Sequence, residues 1–156
     1  SVFRDICHLA CSQETLVQGQ VLFRYGDLAT KMFFISKGEC DYVRGRNYSE
    51  PFSLSAPSHL CEAVLWMTWE HRGRLTANSW CELVAIDSQK FQDVVSNSSV
   101  RLSGFRRYAT HFGELLLPEG SPCWERLSDL DLDSEDLDEI ISCAFPTEYG
   151  PEVQEC

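Results

Sequence analysis

The chain has 156 residues, 44% apolar and 24% charged, the proportions of one globular domain with an appendage. No apolar run approaches the roughly 20 residues needed to span a bilayer, and Arg4, Asp5 and His8 interrupt any signal-peptide core at the start. The net charge of −11 is uneven: twelve acids and one base (Arg126) lie from Glu119 to Cys156, leaving twelve of each before them. A neutral body with an acidic tail lacks the Lys and Arg excess that non-specific nucleic-acid binding requires, so no nucleic-acid partner is expected, whereas the tail suits a basic protein partner. Division by charge gives a domain at 1–118 and a tail at 119–156.

In chain order, Phe3, Ile6, Cys7 and Ala10 share one face of a short helix over 2–11. Thr15 to Phe23 reads as two short strands broken at Gly19-Gln20. Gly26-Asp27 is a turn. Met32 to Ile35 is a buried strand that reverses at Gly38 into Cys40, Tyr42 and Val43, a β-hairpin pattern. Arg44 to Asn47 reads as a polar turn and Pro51 to Pro57 as a loop. A single helical turn is expected at Glu62–Leu65, then a break at Arg72-Gly73-Arg74. Strands follow at Leu75–Ala77 and Trp80–Ile86. Asp87-Ser88 caps a helix that carries Phe91, Val94 and Val95 on one face. The longest helix spans Val100–Leu117, weakened by Gly104 and Gly113 and stopped by Pro118. In the tail, Leu127, Leu130, Leu137, Ile140 and Ile141 form a weaker helical pattern, with a start signal at Ser134, and the chain from Pro146 onward is expected to be mobile.

The eight cysteines (7, 11, 40, 61, 81, 123, 143 and 156) are too sparse for a disulfide scaffold and read as reduced thiols of a cytoplasmic protein. Cys7 and Cys11 read as a packed helix face, and no second pair completes a zinc set. The sequons at Asn47 and Asn97 are accidental in such a chain. No serine–histidine–aspartate order, phosphate loop or HExxH appears, so no catalytic or metal residue is assigned and the chain is expected not to be an enzyme. A cupin-type enzyme would need a metal cluster that His8, His59, His71 and His111 do not supply. Trp66, Trp69 and Trp80 read as core or interface.

A short helical turn within a sheet protein presents N–H groups that have no partners inside the turn, and these favour an anion. Residues 60–65 supply such a turn. Glu62 on it can accept from a sugar hydroxyl, and Arg72 or Arg74 can fork onto a phosphate. With these residues in view, Gly26-Asp27, Met32-Phe33-Phe34-Ile35 and Gly38 resemble the opening half of a cyclic nucleotide-binding domain. Leu60-Cys61-Glu62-Ala63-Val64-Leu65 followed by His71-Arg72-Gly73-Arg74-Leu75-Thr76-Ala77 resembles that family's phosphate-binding cassette. The stretch from Trp80 to Phe91 resembles its last strands and the following helix.

The resemblance covers roughly residues 12–117. It implies a mostly β fold with flanking helices, an eight-stranded jelly-roll β-barrel. It implies cyclic AMP or cyclic GMP as ligand, with no further cofactor. Glu62 takes the role of the glutamate that binds the ribose 2′-hydroxyl, and Arg72 that of the phosphate-pairing arginine, although strand register from Trp80 sets His71 at the arginine position. Cys61 stands where the family has a glycine. Ala63, Gly73 and Arg74 complete the cassette contacts, and Phe105 or Tyr108 on the long helix would stack on the base. Two functions follow. The leading one is a regulatory nucleotide-binding domain of a larger protein, with Phe105-Arg106-Arg107-Tyr108-Ala109 and Trp80-Cys81 most like the cation-channel branch. The alternative is a degenerate homologue that binds no nucleotide and serves as an interaction module, its acidic tail covering the pocket.

Overall fold

The computed structural model describes residues 1–46, 50–98, 102–117, 127–130 and 134–145. The expectations for the sequon at Asn47, the stop at Pro118 and the segment from Pro146 fall outside these residues. The chain divides into two compact units, Ser1–Val94 with Cys123–Asp131, and Val95–Pro122 with Leu132–Cys156. Part of the acidic tail, Cys123–Asp131, groups with the first unit.

The first unit opens with α1 (Val2–Leu9) and β1 (Cys11–Leu16). The helix is shorter than expected. Cys11 leaves it to pair with Ile86, so Cys7 and Cys11 do not share a helix face. The further strands are β2 (Val21–Phe23), β3 (Lys31–Lys37), β4 (Glu39–Arg44), β5 (Phe52–Ser55), β6 (Ser58–Leu60), β7 (Gly73–Ala77) and β8 (Cys81–Asp87). They form two antiparallel four-stranded sheets, in the orders β1-β8-β3-β6 and β2-β7-β4-β5. Between the sheets lies a core of Leu16, Phe23, Phe33, Ile35, Tyr42, Leu60, Leu75 and Leu83 with their neighbours. Strand alternation puts these side chains inward, as along β7, where Gly73, Leu75 and Ala77 are buried and Arg74 is exposed. Among the described residues no ladder joins the two sheets, so the jelly roll is a two-sheet sandwich and not the closed barrel expected.

The hairpin expected around Gly38 is a crossing between sheets. β3 pairs with β6 and β8, while β4 pairs with β5 and β7. Gly38 makes the crossing at φ 89°, and a Cβ there would stand 2.7 Å from Cys81 Sγ. A side chain is therefore excluded by backbone conformation and by space. The stretch read as a loop from Pro51 contains β5, whose Phe52 and Leu54 pair with Tyr42 and Cys40. After β6 comes α2 (Ala63–Trp66), and after β8 comes α3 (Ser88–Ser96), whose Lys90 N–H donates to Asp87 Oδ1 at 2.9 Å as the cap signal required.

The second unit contains α4 (Leu102–Leu116) and α5 (Ser134–Ala144). Gly104, read as a weak point, is where the Phe145 ring lies against the helix: an added Cβ would meet Cδ1 at 2.8 Å. Arg107 donates to the Ala144 carbonyl at 2.7 Å, satisfying one of the free carbonyls at the end of α5. No helix among the described residues is long and apolar enough to cross a membrane.

Candidate functional site

The turn between β6 and α2 is built on Cys61. Its φ is +67°, the only non-glycine in the left-handed region among the described residues. Such a conformation costs an L-residue about 1–2 kcal/mol, so Cys61 keeps the backbone of a glycine while carrying a side chain. The Val64 and Leu65 N–H groups are taken up within the turn, by the carbonyls of Cys61 and Glu62. The Cys61 N–H instead donates to the Asp129 carbonyl at 2.6 Å, and Leu60 forms an isolated antiparallel bridge with Leu130. A segment of the acidic tail thus lies along the free edge of β6. Leu127 and Leu130 were expected on a helix. They are not helical, because the edge of β6 offers hydrogen bonds and the Ser128 hydroxyl takes the Leu130 N–H at 3.1 Å.

Docking of this segment carries the Asp129 carboxylate inside, where it is 2% exposed. Oδ1 accepts from Trp69 Nε1 at 2.9 Å and faces His71 Nδ1 at 3.0 Å. Oδ2 accepts from the Tyr42 hydroxyl at 2.9 Å and from the Arg72 backbone N–H at 2.7 Å. The Tyr42 oxygen also accepts the Asp129 N–H at 3.1 Å. Four donors replace the water the ion has lost, the condition for burying a charge. Burial, and next the Asp129 charge, push the Tyr42 hydroxyl well above its ordinary pKa, so it stays a donor.

Glu62 is buried, and its Oε1 accepts from Trp66 Nε1 at 3.1 Å within the same turn. Ala63 is buried as the first residue of α2. His71 is 4% exposed, stacked on Phe23 at 3.7 Å between ring centroids, with Nδ1 on Asp129. Arg72 contributes its backbone amide. Its guanidinium lies over the Trp69 ring at 5.4 Å, and Nε is buried with no hydrogen-bond partner among the described residues. Gly73 makes room for the Tyr42 ring, since a Cβ there would lie 2.5 Å from Tyr42 Cζ. Arg74 sits on the solvent face of β7, away from the cluster. Phe105 and Tyr108 belong to the second unit, where Phe105 meets Phe145 edge-on at 5.9 Å and Tyr108 stacks with Phe112 at 6.2 Å.

Sequence reasoning missed Tyr42, Trp69 and Asp129 as site residues. Asp129 carried one signal, its position between Leu127 and Leu130 in an otherwise acidic run. Tyr42 and Trp69 carried none beyond an aromatic ring with a polar tip in an apolar setting. Cys61, His71 and Asp129 do not form a nucleophile relay. The Cys61 sulfur, at 3.7 Å, and the carboxylate both meet Nδ1 of the same ring, whereas a relay uses the two opposite nitrogens.

No family model and no curated protein sequence matches the chain. Solved structures do. The C-linker/CNBHD of zELK channels, crystallized in the presence of cAMP, superposes with a TM-score of 0.55 at 15% identity over 61% of this chain and 48% of that one. A cyclic nucleotide-binding-like protein from Brucella abortus gives 0.55 at 17% identity, over 62% of this chain and 84% of that one. The fold is that of the cyclic nucleotide-binding domains. The cyclic-nucleotide binding homology domain of a KCNH channel agrees, with a TM-score of 0.50 at 14% identity over 61% of this chain and 70% of that one. The chain spans about half the length of the zELK fragment, 48%. The stretch that resembles the family's cassette spans β6, α2 and β7, and Asp129 lies against its turn.

Proposed function

We propose that this chain is a regulatory module on the cyclic nucleotide-binding fold whose phosphate cassette is filled by its own tail. The observation that carries this reading is the Asp129 carboxylate, held by the Arg72 amide, Trp69, Tyr42 and His71. A cyclic phosphate brought to the same donors would meet the Asp129 carboxylate, and two anions cannot share one buried site. The Glu62 carboxylate, meant for a ribose hydroxyl, is bonded to Trp66. Regulation then lies in whether the segment Leu127–Leu130 stays docked. That segment stands in the chain between α4 and α5, and a partner favouring its docked or its released state shifts the balance by its differential affinity.

Calorimetry with cyclic AMP and cyclic GMP on the intact chain tests the proposal. No heat of binding is expected at millimolar nucleotide. Saturable binding with the Arg72 amide still protected from hydrogen exchange would overturn it.

One observation favours a second reading, a nucleotide sensor in which ligand displaces the tail. The Arg72 Nε is buried without a partner among the described residues, as a guanidinium awaiting an anion would be. That reading expects binding accompanied by loss of Arg72 amide protection, so the same titration separates the two. In either case the module serves a larger regulated protein in the cytoplasm, a channel being one such host, and the other tail carboxylates remain for a basic protein surface.

A further inference from the structure

The same cluster has a property that the anion reading does not use. Cys61 Sγ lies 3.7 Å from His71 Nδ1 and 4.0 Å from Asp129 Oδ1, and these two are 3.0 Å apart. All three side chains are buried. Thiolate, imidazole and carboxylate are zinc ligand types. With bonds of about 2.3 Å to sulfur and about 2.0 Å to nitrogen and oxygen at tetrahedral angles, the three edges would be about 3.5, 3.5 and 3.3 Å. The observed triangle departs from that by about half an ångström or less on each edge. We propose that Cys61, His71 and Asp129 form a site for Zn²⁺ or a divalent cation of similar size and softness.

Two features support the assignment beyond the triangle. Cys61 occupies a left-handed backbone position that glycine would take without strain, so its side chain is kept against a local conformational cost. The groups that would orient the ligands are also in place. Trp69 Nε1 donates to Oδ1, and Tyr42 with the Arg72 amide donates to Oδ2, an outer ring of donors of the kind that fixes metal-bound carboxylates. On binding, the Cys61 thiol loses its proton to solvent, and His71 carries its proton on Nε2 so that Nδ1 offers a lone pair. A water takes the fourth position. The ligands come from the turn after β6, the residue two before β7 and the tail, so the ion would staple the tail to the cassette. The proposal uses the docked tail but not the claim that nucleotide is excluded.

The test is titration of the intact, reduced, metal-free chain with Co²⁺, followed by Zn²⁺. One equivalent of Co²⁺ is expected to give a thiolate-to-cobalt charge-transfer band with the visible bands of tetrahedral cobalt, and Zn²⁺ should abolish both. Cys61→Ser should remove the charge-transfer band, and Asp129→Asn should weaken binding at least about tenfold. Cys40→Ser, altering a separate buried thiol, should leave the spectrum unchanged. Cys61→Gly, which suits the backbone there, serves should the serine variant not fold. Absence of the band in a chain with normal circular dichroism overturns the proposal, as does a band that survives loss of Cys61. Either result, with Arg72 amide protection intact, leaves the docked tail standing.

Discussion

Replacing Asp129 with alanine removes the carboxylate and keeps the backbone bond from Cys61 N–H to the Asp129 carbonyl. Four donors then lose their acceptor: the Tyr42 hydroxyl, Trp69 Nε1, His71 Nδ1 and the Arg72 N–H. A buried donor left unsatisfied costs about 1–3 kcal/mol. The low end applies, because the vacated volume can admit a water, and four donors then give about 4 kcal/mol. The carboxylate's own desolvation is recovered, which offsets part of the loss. The expected destabilisation is therefore about 3 kcal/mol, a large share of the roughly 5–15 kcal/mol that holds a typical domain together. Urea unfolding followed by tryptophan fluorescence measures it. Hydrogen exchange at the Arg72 amide reports the local opening. Asp138→Ala, at an exposed acid on α5, should shift stability by no more than about 0.5 kcal/mol. If Asp129→Ala behaves like that control and the Arg72 amide stays protected, the carboxylate is not what holds the tail.

Gly73→Ala should destabilise the chain by about 2 kcal/mol in urea unfolding, since its Cβ would meet Tyr42 Cζ and the Val43 carbonyl oxygen at 2.5 Å each and Tyr42 is held by Asp129. Gly104→Ala should lower the melting temperature of the helical signal despite better helix propensity, because of the Phe145 ring. In a Phe145→Ala background the same change should stabilise by up to about 1 kcal/mol, a sign reversal that a double-mutant cycle detects. Cys40 is pushed from 9.0 to about 12, first by burial and then by the Cys81 hydrogen bond and charge. Its thiol is neutral in both states well below pH 9, so its contribution is fully present there. Between pH 9 and about 12 the unfolded thiol ionises first, so stability should fall as pH rises through this window. Urea midpoints at pH 8 and pH 10 should show the decline, and Cys40→Ala should reduce it.

The legible parts of this molecule are those whose cause is local. The apolar run Met32–Ile35, the positive-φ glycine at 38, the Asp87 cap and the start of α5 at Ser134 each follow from a few adjacent residues, and the structure keeps them. β1 begins at Cys11 rather than at Thr15, because an edge strand with one solvated face accommodates the polar run Ser12 to Glu14. Around Gly38 the sequence shows a turn but not which strand the chain joins after it. That choice is made by β7 and β8, which lie far along the chain and take β4 and β3 into different sheets.

The cassette follows the same division. Its segment order and its helical turn are written in neighbouring residues, because short turns depend on contacts a few positions apart, whereas the left-handed backbone of Cys61 is seen only in the structure. The state of the site is not written there either. One acid among the twelve of the tail meets donors from positions 42, 69, 71 and 72, and a carboxylate that looks solvated in the sequence becomes the buried anion of the site. Linear pattern reports what each segment prefers by itself. Only the packed chain decides which distant polar groups replace water around a charge, since that depends on the distances folding imposes.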